Sequence, residues 1–469
     1  MSGSSRIGSS HERIKCLRQL SGRAKKFLQT TMSLEELRNS RFVLISMVYL
    51  SLLLDNILLT VVVPIIPDYL YTLDGNATTD AETEENGRVG FLLSSKALVQ
   101  LVLNPVVGSL TGAFGYARPL LLGSVNLLLS ALLFAFGRRY EVLFLARSIQ
   151  GVSSACIGVS GMSLVASRYS NEEERSKVMG FVLGSIALGV LLGYPLGSIL
   201  YDLIGKTAPL LLVSSFALVL ICLQLLTLDF RIIEQQRDTR SYTNWLHMLS
   251  DGKILLVAGA IWCSTSAMAI LEPCLPLWLM THVKPKKWQL GTVFIPDSTG
   301  YLIGTNFFGM IAYRCGRYNT AISAMILVGV SAISIPLAST VSQLAIPHLG
   351  MGLGIGIADA ALVPLLATLV SREDGYGPVY SLQQVAVSLA YSLGPIMGGE
   401  LVRAIGFAWV MWLVGVFNIA YCPLLNYLAR TDEQSLALLR DEQRKDYDTV
   451  EKHRTGMNYQ RFHDSDETL

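Results

Sequence analysis

The chain has 469 residues, of which 51% are hydrophobic and only 15% are charged, and its mean hydropathy is +0.46. In soluble proteins about a quarter of the residues carry charge, so this composition excludes a water-soluble enzyme. The 37 Lys and Arg residues against 35 Asp and Glu leave no broad basic surface for nucleic acid. The seven cysteines are scattered singly, and we expect neither a metal site nor a disulfide framework.

Apolar runs recur along nearly the whole middle of the chain. Because a membrane helix needs about 20 mostly apolar residues, the pattern predicts an all-α membrane protein with twelve transmembrane helices. The predicted spans are 42–66, 89–110, 118–137, 141–166, 178–204, 208–228, 254–280, 290–312, 320–338, 343–370, 377–402 and 407–429. They form two six-helix halves, 42–228 and 254–429, which a polar cytoplasmic linker over 229–253 joins.

The two ends of the chain indicate its orientation. Residues 1–41 form a basic tail that is too long and too polar to be a secretory signal. Positive segments beside membrane helices stay in the cytoplasm, so we expect both termini to be cytoplasmic. The acidic first loop, 72–88, then lies outside and carries a glycosylation sequon at Asn76, whereas Lys284 in another predicted outer loop runs against the rule. We expect the polar tail 430–469 to be disordered.

Glycines and prolines recur between the halves. Three glycines of the first half, Gly193, Gly197 and Gly205, match Gly394, Gly398 and Gly406 at an offset of 201. Chance recurrence of residues that are common in membrane helices is the alternative. Duplicated six-helix halves with a site between them are typical of secondary transporters. We assign Pro195 and Gly394 structural or gating roles. Small residues such as Gly394 permit close helix approach, and we expect them to let the halves slide.

Five ionisable side chains stand out deep inside the apolar runs, where each costs about 2.5 to 3.5 kcal/mol. They are Asp55, Lys96, Arg147, Glu272 and Asp359. Such residues usually face a polar cavity, and the alternative for each is a structural ion pair. For Arg147 we favour a structural role, because an arginine near the outer end of a helix can reach the membrane interface or clamp helix carbonyl groups. A carboxylate exposed to the two sides in turn would exchange a proton for a cationic ligand without a covalent step. We therefore expect a small cationic solute, protons and the lipid bilayer as partners, and no cofactor beyond a proton gradient.

Seven motifs run in order through both halves. They are Leu54–Pro67, Ser95–Ala97, Ala146–Gly151, Leu271–Pro273, Lys287–Gly291, Tyr301–Asn306 and Tyr391–Pro395. Over residues 42–430 the chain resembles the vesicular monoamine transporters of the major facilitator superfamily. The resemblance implies the major facilitator fold. It also implies a proton-coupled antiporter that loads a monoamine of the serotonin, dopamine, histamine or octopamine type into acidic secretory or synaptic vesicles by alternating access.

The same resemblance implies roles for individual residues. Asp55 and Glu272 would grip the protonated amine, Asn56 would support it, and Tyr301 and Tyr391 would complete the binding site, Tyr391 by stacking on the cation. Proton coupling would involve Asp359 with Tyr301, Glu272 and Lys96. Lys96 would also belong to a charged network that links the halves, with Arg147 nearby.

One departure from the family concerns this network. Gln384 stands where the family carries an aspartate, which removes the expected partner of Lys96. A glutamine resembles a carboxylic acid frozen in its neutral form, so we expect one titrating step to be lost.

The C-terminal tail carries a further resemblance. Glu433, Leu438 and Leu439 resemble an acidic dileucine sorting signal, although a leucine pair on a short amphipathic helix is the alternative. We expect a monomer in synaptic or secretory vesicles. Three other functions stay open: a broad-specificity drug/proton antiporter, a vesicular carrier of another small organic cation such as acetylcholine, and a receptor-like relative without transport. Gln384 favours the last, and the retained carboxylates oppose it.

Overall fold

The computed structural model describes residues 40–74, 79–228, 230, 248–283, 292–370 and 375–431. Twelve long helices occupy most of these residues, which confirms the all-α prediction. In chain order they are α1 (Arg41–Asp74), α2 (Thr79–Phe114), α3 (Ala117–Phe136), α4 (Tyr140–Arg168), α5 (Glu172–Ile204), α6 (Thr207–Thr227), α7 (Gly252–His282), α8 (Ile295–Cys315), α9 (Arg317–Ser334), α10 (Val341–Leu366), α11 (Gly377–Ile405) and α12 (Phe407–Thr431). A short 3-10 turn, Ile335–Leu337, extends α9.

Eleven of these helices contain a stretch that is long and apolar enough to cross a membrane. The exception in the described chain is α8, in which Asp297, Thr305 and Asn306 interrupt the apolar residues. This helix packs against α5 and α10 inside the bundle. We treat it as the twelfth span because Asp297 and Thr305 are buried and the Asn306 side chain lies against Gly184 in α5, so these three residues do not face lipid.

The first loop was predicted over 72–88, and this prediction is too long. Helix α1 continues to Asp74 and α2 already begins at Thr79. Hydropathy marks only the apolar part of a helix, whereas the Ala- and Glu-rich run after Thr79 favours helix without being apolar. The predictions for the N-terminal tail, Asn76, most of the linker, Lys284 and the tail signal at Glu433, Leu438 and Leu439 lie outside the described residues.

The repeated glycines pack helices together within each half. A Cβ atom on Gly197 would lie 2.9 Å from the Cα atom of Val61 in α1, and one on Gly394 would lie 2.8 Å from the Cβ atom of Ala269 in α7. These glycines therefore hold α5 against α1 and α11 against α7. The expectation that they let the halves slide is wrong, because their neighbours belong to the same half. The equivalent contacts in both halves agree with the offset of 201.

Other small residues lie between the halves, also in related pairs. A Cβ atom on Gly309 in α8 would lie 2.7 Å from the carbonyl oxygen of Ser176 in α5, and one on Gly377 in α11 would lie 2.7 Å from that of Gly108 in α2. At the same sequence separation of 201, Arg175 Nη1 donates to the Tyr376 hydroxyl at 3.4 Å. Contact between two equivalent positions places them beside the axis that relates the halves.

Polar contacts join the halves on one side of the bundle. We call the side on which α1 begins and α12 ends the proximal side, and the opposite side the distal side. On the proximal side, Arg314 forms a 3.0 Å salt bridge with Glu173, and Arg317 forms a 3.4 Å salt bridge with Glu172. Arg317 also donates to the Ser176 hydroxyl at 3.1 Å. These contacts tie α5 to α8 and α9, so the proximal ends of the two halves are held together.

Candidate functional site

Asp55 lies within the apolar helix α1 and is only 4% exposed. The Ser154 hydroxyl from α4 donates a 2.7 Å hydrogen bond to its Oδ2 atom, whereas its Oδ1 atom is buried without a hydrogen-bond partner. The neighbouring Asn56 amide donates to the Leu52 carbonyl oxygen of its own helix at 2.8 Å. A buried carboxylate is costly unless it is protonated or paired with a cation. Asp55 is therefore suited to hold either one.

Lys96 in α2 and Arg147 in α4 are the nearby cations. Both lie close enough to Asp55 and Glu272 for electrostatic interaction. No salt bridge within the described part of the chain joins either cation to a carboxylate, and Arg147 instead donates from Nη1 to Gln150 Oε1 at 2.7 Å. Opposite charges thus share this region without direct pairing. Such an arrangement leaves the carboxylates available to another cation.

Glu272 connects the two halves near the distal side. The Tyr194 hydroxyl in α5 donates a 2.7 Å hydrogen bond to Glu272 Oε1 in α7, and the Tyr194 ring stacks on Phe294 with 6.3 Å between ring centroids. Tyr194 was not among the site residues predicted from the sequence. Two features of the sequence could have indicated it. Tyr194 lies between Gly193 and Pro195 in the repeated segment, and Pro195 interrupts the backbone hydrogen bonding of α5 immediately after it.

Asp359 and Tyr301 form a second polar pair. The Tyr301 hydroxyl in α8 donates a 2.7 Å hydrogen bond to Asp359 Oδ2 in α10, and Asp359 Oδ1 is buried without a hydrogen-bond partner. The two helices approach closely here, since a Cβ atom on Gly356 would lie 2.6 Å from the Tyr301 carbonyl oxygen. The structure therefore brings together the two residues that the resemblance links to proton coupling.

Asp297 is a further buried carboxylate, and it was not among the site residues predicted from the sequence. It lies in the first turn of α8, is 7% exposed, and its Oδ1 atom has no hydrogen-bond partner. Asp297 interacts electrostatically with Glu272, and Tyr391 in α11 lies within the same range of Glu272, Asp297 and Asp359. The sequence feature that could have indicated Asp297 is an acidic residue within the predicted span 290–312. Because it lies near the start of that span, it was not distinguished from an acidic residue at a helix end.

Gln384 forms a neutral contact between the halves. Its Oε1 atom accepts a 3.3 Å hydrogen bond from Gln100 Nε2 in α2, one helical turn beyond Lys96. At the same level of this antiparallel helix pair, the Asn104 amide donates to the Ser388 hydroxyl at 3.0 Å. The contact between α2 and α11 at this level is thus made by amides and a hydroxyl, and Lys96 has Asp55 and Glu272 as its electrostatic partners.

These side chains form one connected group, which we call the central cluster. Its members are Asp55, Lys96, Arg147, Glu272, Asp297, Asp359, Tyr194, Tyr301 and Tyr391. Both halves contribute to it, and its four carboxylates outnumber its two basic side chains. The arrangement provides anionic groups between two related halves, as an alternating binding site for a cation requires.

Similarity to known proteins shows which family this chain belongs to. The model of the Major Facilitator Superfamily matches residues 47–296 and 257–455. The human synaptic vesicular amine transporter is 38% identical, over 87% of this chain and 92% of its own length. The human chromaffin granule amine transporter is 36% identical over the same shares, and the Torpedo torpedo vesicular acetylcholine transporter is 32% identical over 89% of this chain and 88% of its own length.

A solved structure agrees with the fold. The human organic anion transporter MFSD10 superposes with a TM-score of 0.68 at 17% identity, over 81% of this chain and 98% of the MFSD10 chain. Together, the twelve-helix fold, the related halves and the similarity to the amine transporters support one assignment. The chain belongs to the Major Facilitator Superfamily and, within it, to the vesicular amine transporters.

Proposed function

We propose that this chain is a proton-coupled antiporter that loads a cationic monoamine into acidic secretory or synaptic vesicles by alternating access. The observation that carries the proposal is Asp55, a buried carboxylate with one oxygen held by Ser154 and the other without a partner. A group in this setting is stabilised by one positive charge at a time. A proton and the ammonium group of a solute therefore compete for it.

In the proposed cycle, protons from the acidic side occupy the carboxylates of the central cluster. An amine arriving from the cytoplasm replaces a proton at Asp55, and Glu272 contributes a second anionic contact from the opposite half. The Tyr301–Asp359 pair holds an exchangeable proton, and Tyr391 offers its ring face to the cation. The cycle consists of binding and proton transfer alone, so no covalent intermediate is needed.

Alternation would come from rocking of the halves about their common axis. The salt bridges of Arg314 with Glu173 and of Arg317 with Glu172 close the proximal side. The Tyr194–Glu272 hydrogen bond is the corresponding contact nearer the distal side. Because Glu272 is also a proposed solute ligand, a bound amine competes with Tyr194 for Glu272 and loosens this contact.

The location of the protein follows from the same proposal. With both termini cytoplasmic, the proximal side faces the cytoplasm and the distal side faces the vesicle lumen. The signal at Glu433, Leu438 and Leu439 would bind a sorting adaptor, and the chain would act as a monomer. Acetylcholine is the second candidate solute, because an acetylcholine carrier is among the similar proteins and its cation also suits an acidic and aromatic site.

Uptake by reconstituted vesicles with an acidic interior tests the proposal. Labelled serotonin, dopamine, histamine, octopamine and acetylcholine are offered separately, and we expect concentration of at least one amine that collapses when the proton gradient is dissipated. Asp55→Asn should abolish this uptake without changing expression. Asp202→Asn is the matched control, since Asp202 is exposed near the distal end of α5. Undiminished uptake by Asp55→Asn would contradict the proposal.

The same assay separates the alternatives. A broad-specificity drug/proton antiporter would concentrate structurally unrelated cations as well as the amines. A relative without transport would concentrate none of them, although it is present in the vesicles.

A further inference from the structure

Asp297 belongs to the central cluster but has no part in the proposed transport cycle. It is more than nine-tenths buried, and one of its carboxylate oxygens has no hydrogen-bond partner. Helix α8 packs closely against α10 at this point. A Cβ atom on Gly352 in α10 would collide with the backbone carbonyl group of Asp297. The backbone that carries this carboxylate therefore belongs to a helix packed against α10 and not to a loop.

The charges around Asp297 are unbalanced. Its electrostatic neighbours are Glu272, Tyr391 and Tyr301, and none of these carries a positive charge. The basic residues Lys96 and Arg147 belong to the first half of the chain, and both lie near Asp55 and Glu272. Two carboxylates close together in a low-dielectric environment repel each other unless a cation or a proton neutralises them.

A single ammonium group bound at Asp55 leaves the Glu272 and Asp297 region with an excess of negative charge. Tyr391 lies within electrostatic range of Glu272, Asp297 and Asp359, and its hydroxyl can accept a hydrogen bond from a second nitrogen. A solute with two cationic nitrogens would place one at Asp55 and the other at Glu272 and Asp297. Charge complementarity of this kind separates ligands by charge number more than by shape.

We propose that Asp297 and Glu272 form a second anionic subsite that takes a second positively charged nitrogen, so that this chain accepts aliphatic diamines and binds them more tightly than matched monoamines. This inference rests on the proposed function for its transport cycle, but the binding preference is independent of transport. Asp297 thereby determines the charge specificity of the site.

The test compares putrescine with butylamine and cadaverine with pentylamine, because each pair has the same carbon chain and differs by one amino group. Two measurements are made on the full-length protein: inhibition of labelled amine uptake into acidified proteoliposomes, and thermal stabilisation of the purified protein by each compound. In the unsubstituted chain the diamine should bind at least about tenfold more tightly than its monoamine, the size of one contact between charged groups.

Asp297→Asn should reduce this preference to about twofold or less, because it removes one negative charge at nearly constant volume. The matched control is Glu400→Gln, which neutralises an exposed acid paired with Arg403 at the distal end of α11, and it should keep the full preference. Equal binding of diamine and monoamine in the unsubstituted chain, or a preference that survives Asp297→Asn, would overturn the inference. A preference without any proton-driven uptake would instead support the subsite and contradict the proposed function.

Discussion

At the scale of single residues, the important feature of the site is that its buried carboxylates accept few hydrogen bonds and form no salt bridges within the described residues. The Asp55 carboxylate accepts a hydrogen bond from Ser154, and Asp359 accepts one from Tyr301, but each has a second oxygen without a partner. Unsatisfied buried polar atoms cost about 1 to 3 kcal/mol each, and more when charged. Proteins retain such atoms where a ligand or a proton satisfies them during function.

Removing the Ser154 hydroxyl tests how far this hydrogen bond supports solute binding. Ser154→Ala should weaken amine binding roughly tenfold, because a hydrogen bond to a charged group contributes about 1.5 to 3 kcal/mol. The measurement is displacement of a labelled amine from purified protein. Ser163→Ala in the same helix is the control, since the Ser163 hydroxyl donates to the Val159 carbonyl oxygen of its own helix. Equal amine affinities in the two variants would show that the Ser154 hydrogen bond does not support solute binding.

Gln384 gives a second prediction at this scale. Gln384→Asp places an ionisable group beside Gln100, one helical turn from Lys96, and should raise the number of protons exchanged for each solute molecule. Gln384→Asn keeps the position neutral and serves as the control. Proton and solute fluxes are measured together in the same vesicles. An unchanged ratio in Gln384→Asp would show that this position takes no part in proton coupling.

At the scale of helices, glycines determine which helices approach one another. Gly197 and Gly394 allow close packing of helices within one half. Gly309 and Gly377 lie where helices of opposite halves meet. The sequence offset of 201 predicted the duplication but not the neighbour of each glycine. Periodicity along one chain contains no information about which helix lies opposite a given face. This limit explains the error about the sliding role of Gly394.

Gly309 offers a direct test of the contact between α5 and α8. Gly309→Ala introduces a Cβ atom 2.7 Å from the Ser176 carbonyl oxygen, and overpacking of this kind typically costs about 1 to 3 kcal/mol. We expect uptake to fall about tenfold with normal expression, as the proximal contact is forced apart. Gly399→Ala is the control, since no atom lies within 4 Å of its added Cβ atom. Equal uptake by both variants would contradict a functional contact at Gly309.

Hydropathy was sufficient to locate the helices but not their ends or their polar neighbours. It missed the polar start of α2, because the run after Thr79 forms helix without being apolar. It also passed over Asp297 and Tyr194, whose roles depend on residues more than twenty positions away in the sequence. Asp55 and Glu272 were found because a charge within an apolar run is costly wherever its neighbours lie. Their hydrogen-bond partners required the structure.

At the scale of the whole molecule, the two halves share a packing scheme and differ in charge. Lys96 and Arg147 lie in the first half with Asp55, while Glu272, Asp297 and Asp359 lie in the second half. The division places an excess of negative charge on the second half of the site. Rocking of the halves would therefore change the distance between cations and carboxylates, which couples the movement to the charge that is bound.

The most direct test of exchange is proton release on solute binding, measured with purified protein in weakly buffered solution. Because the proton and the ammonium group compete for the same carboxylates, the account predicts that binding of the preferred amine releases protons and that its affinity falls as the pH is lowered. Asp55→Asn should release fewer protons and bind the amine more weakly. Amine binding of undiminished affinity at low pH, with no proton released, would contradict the account.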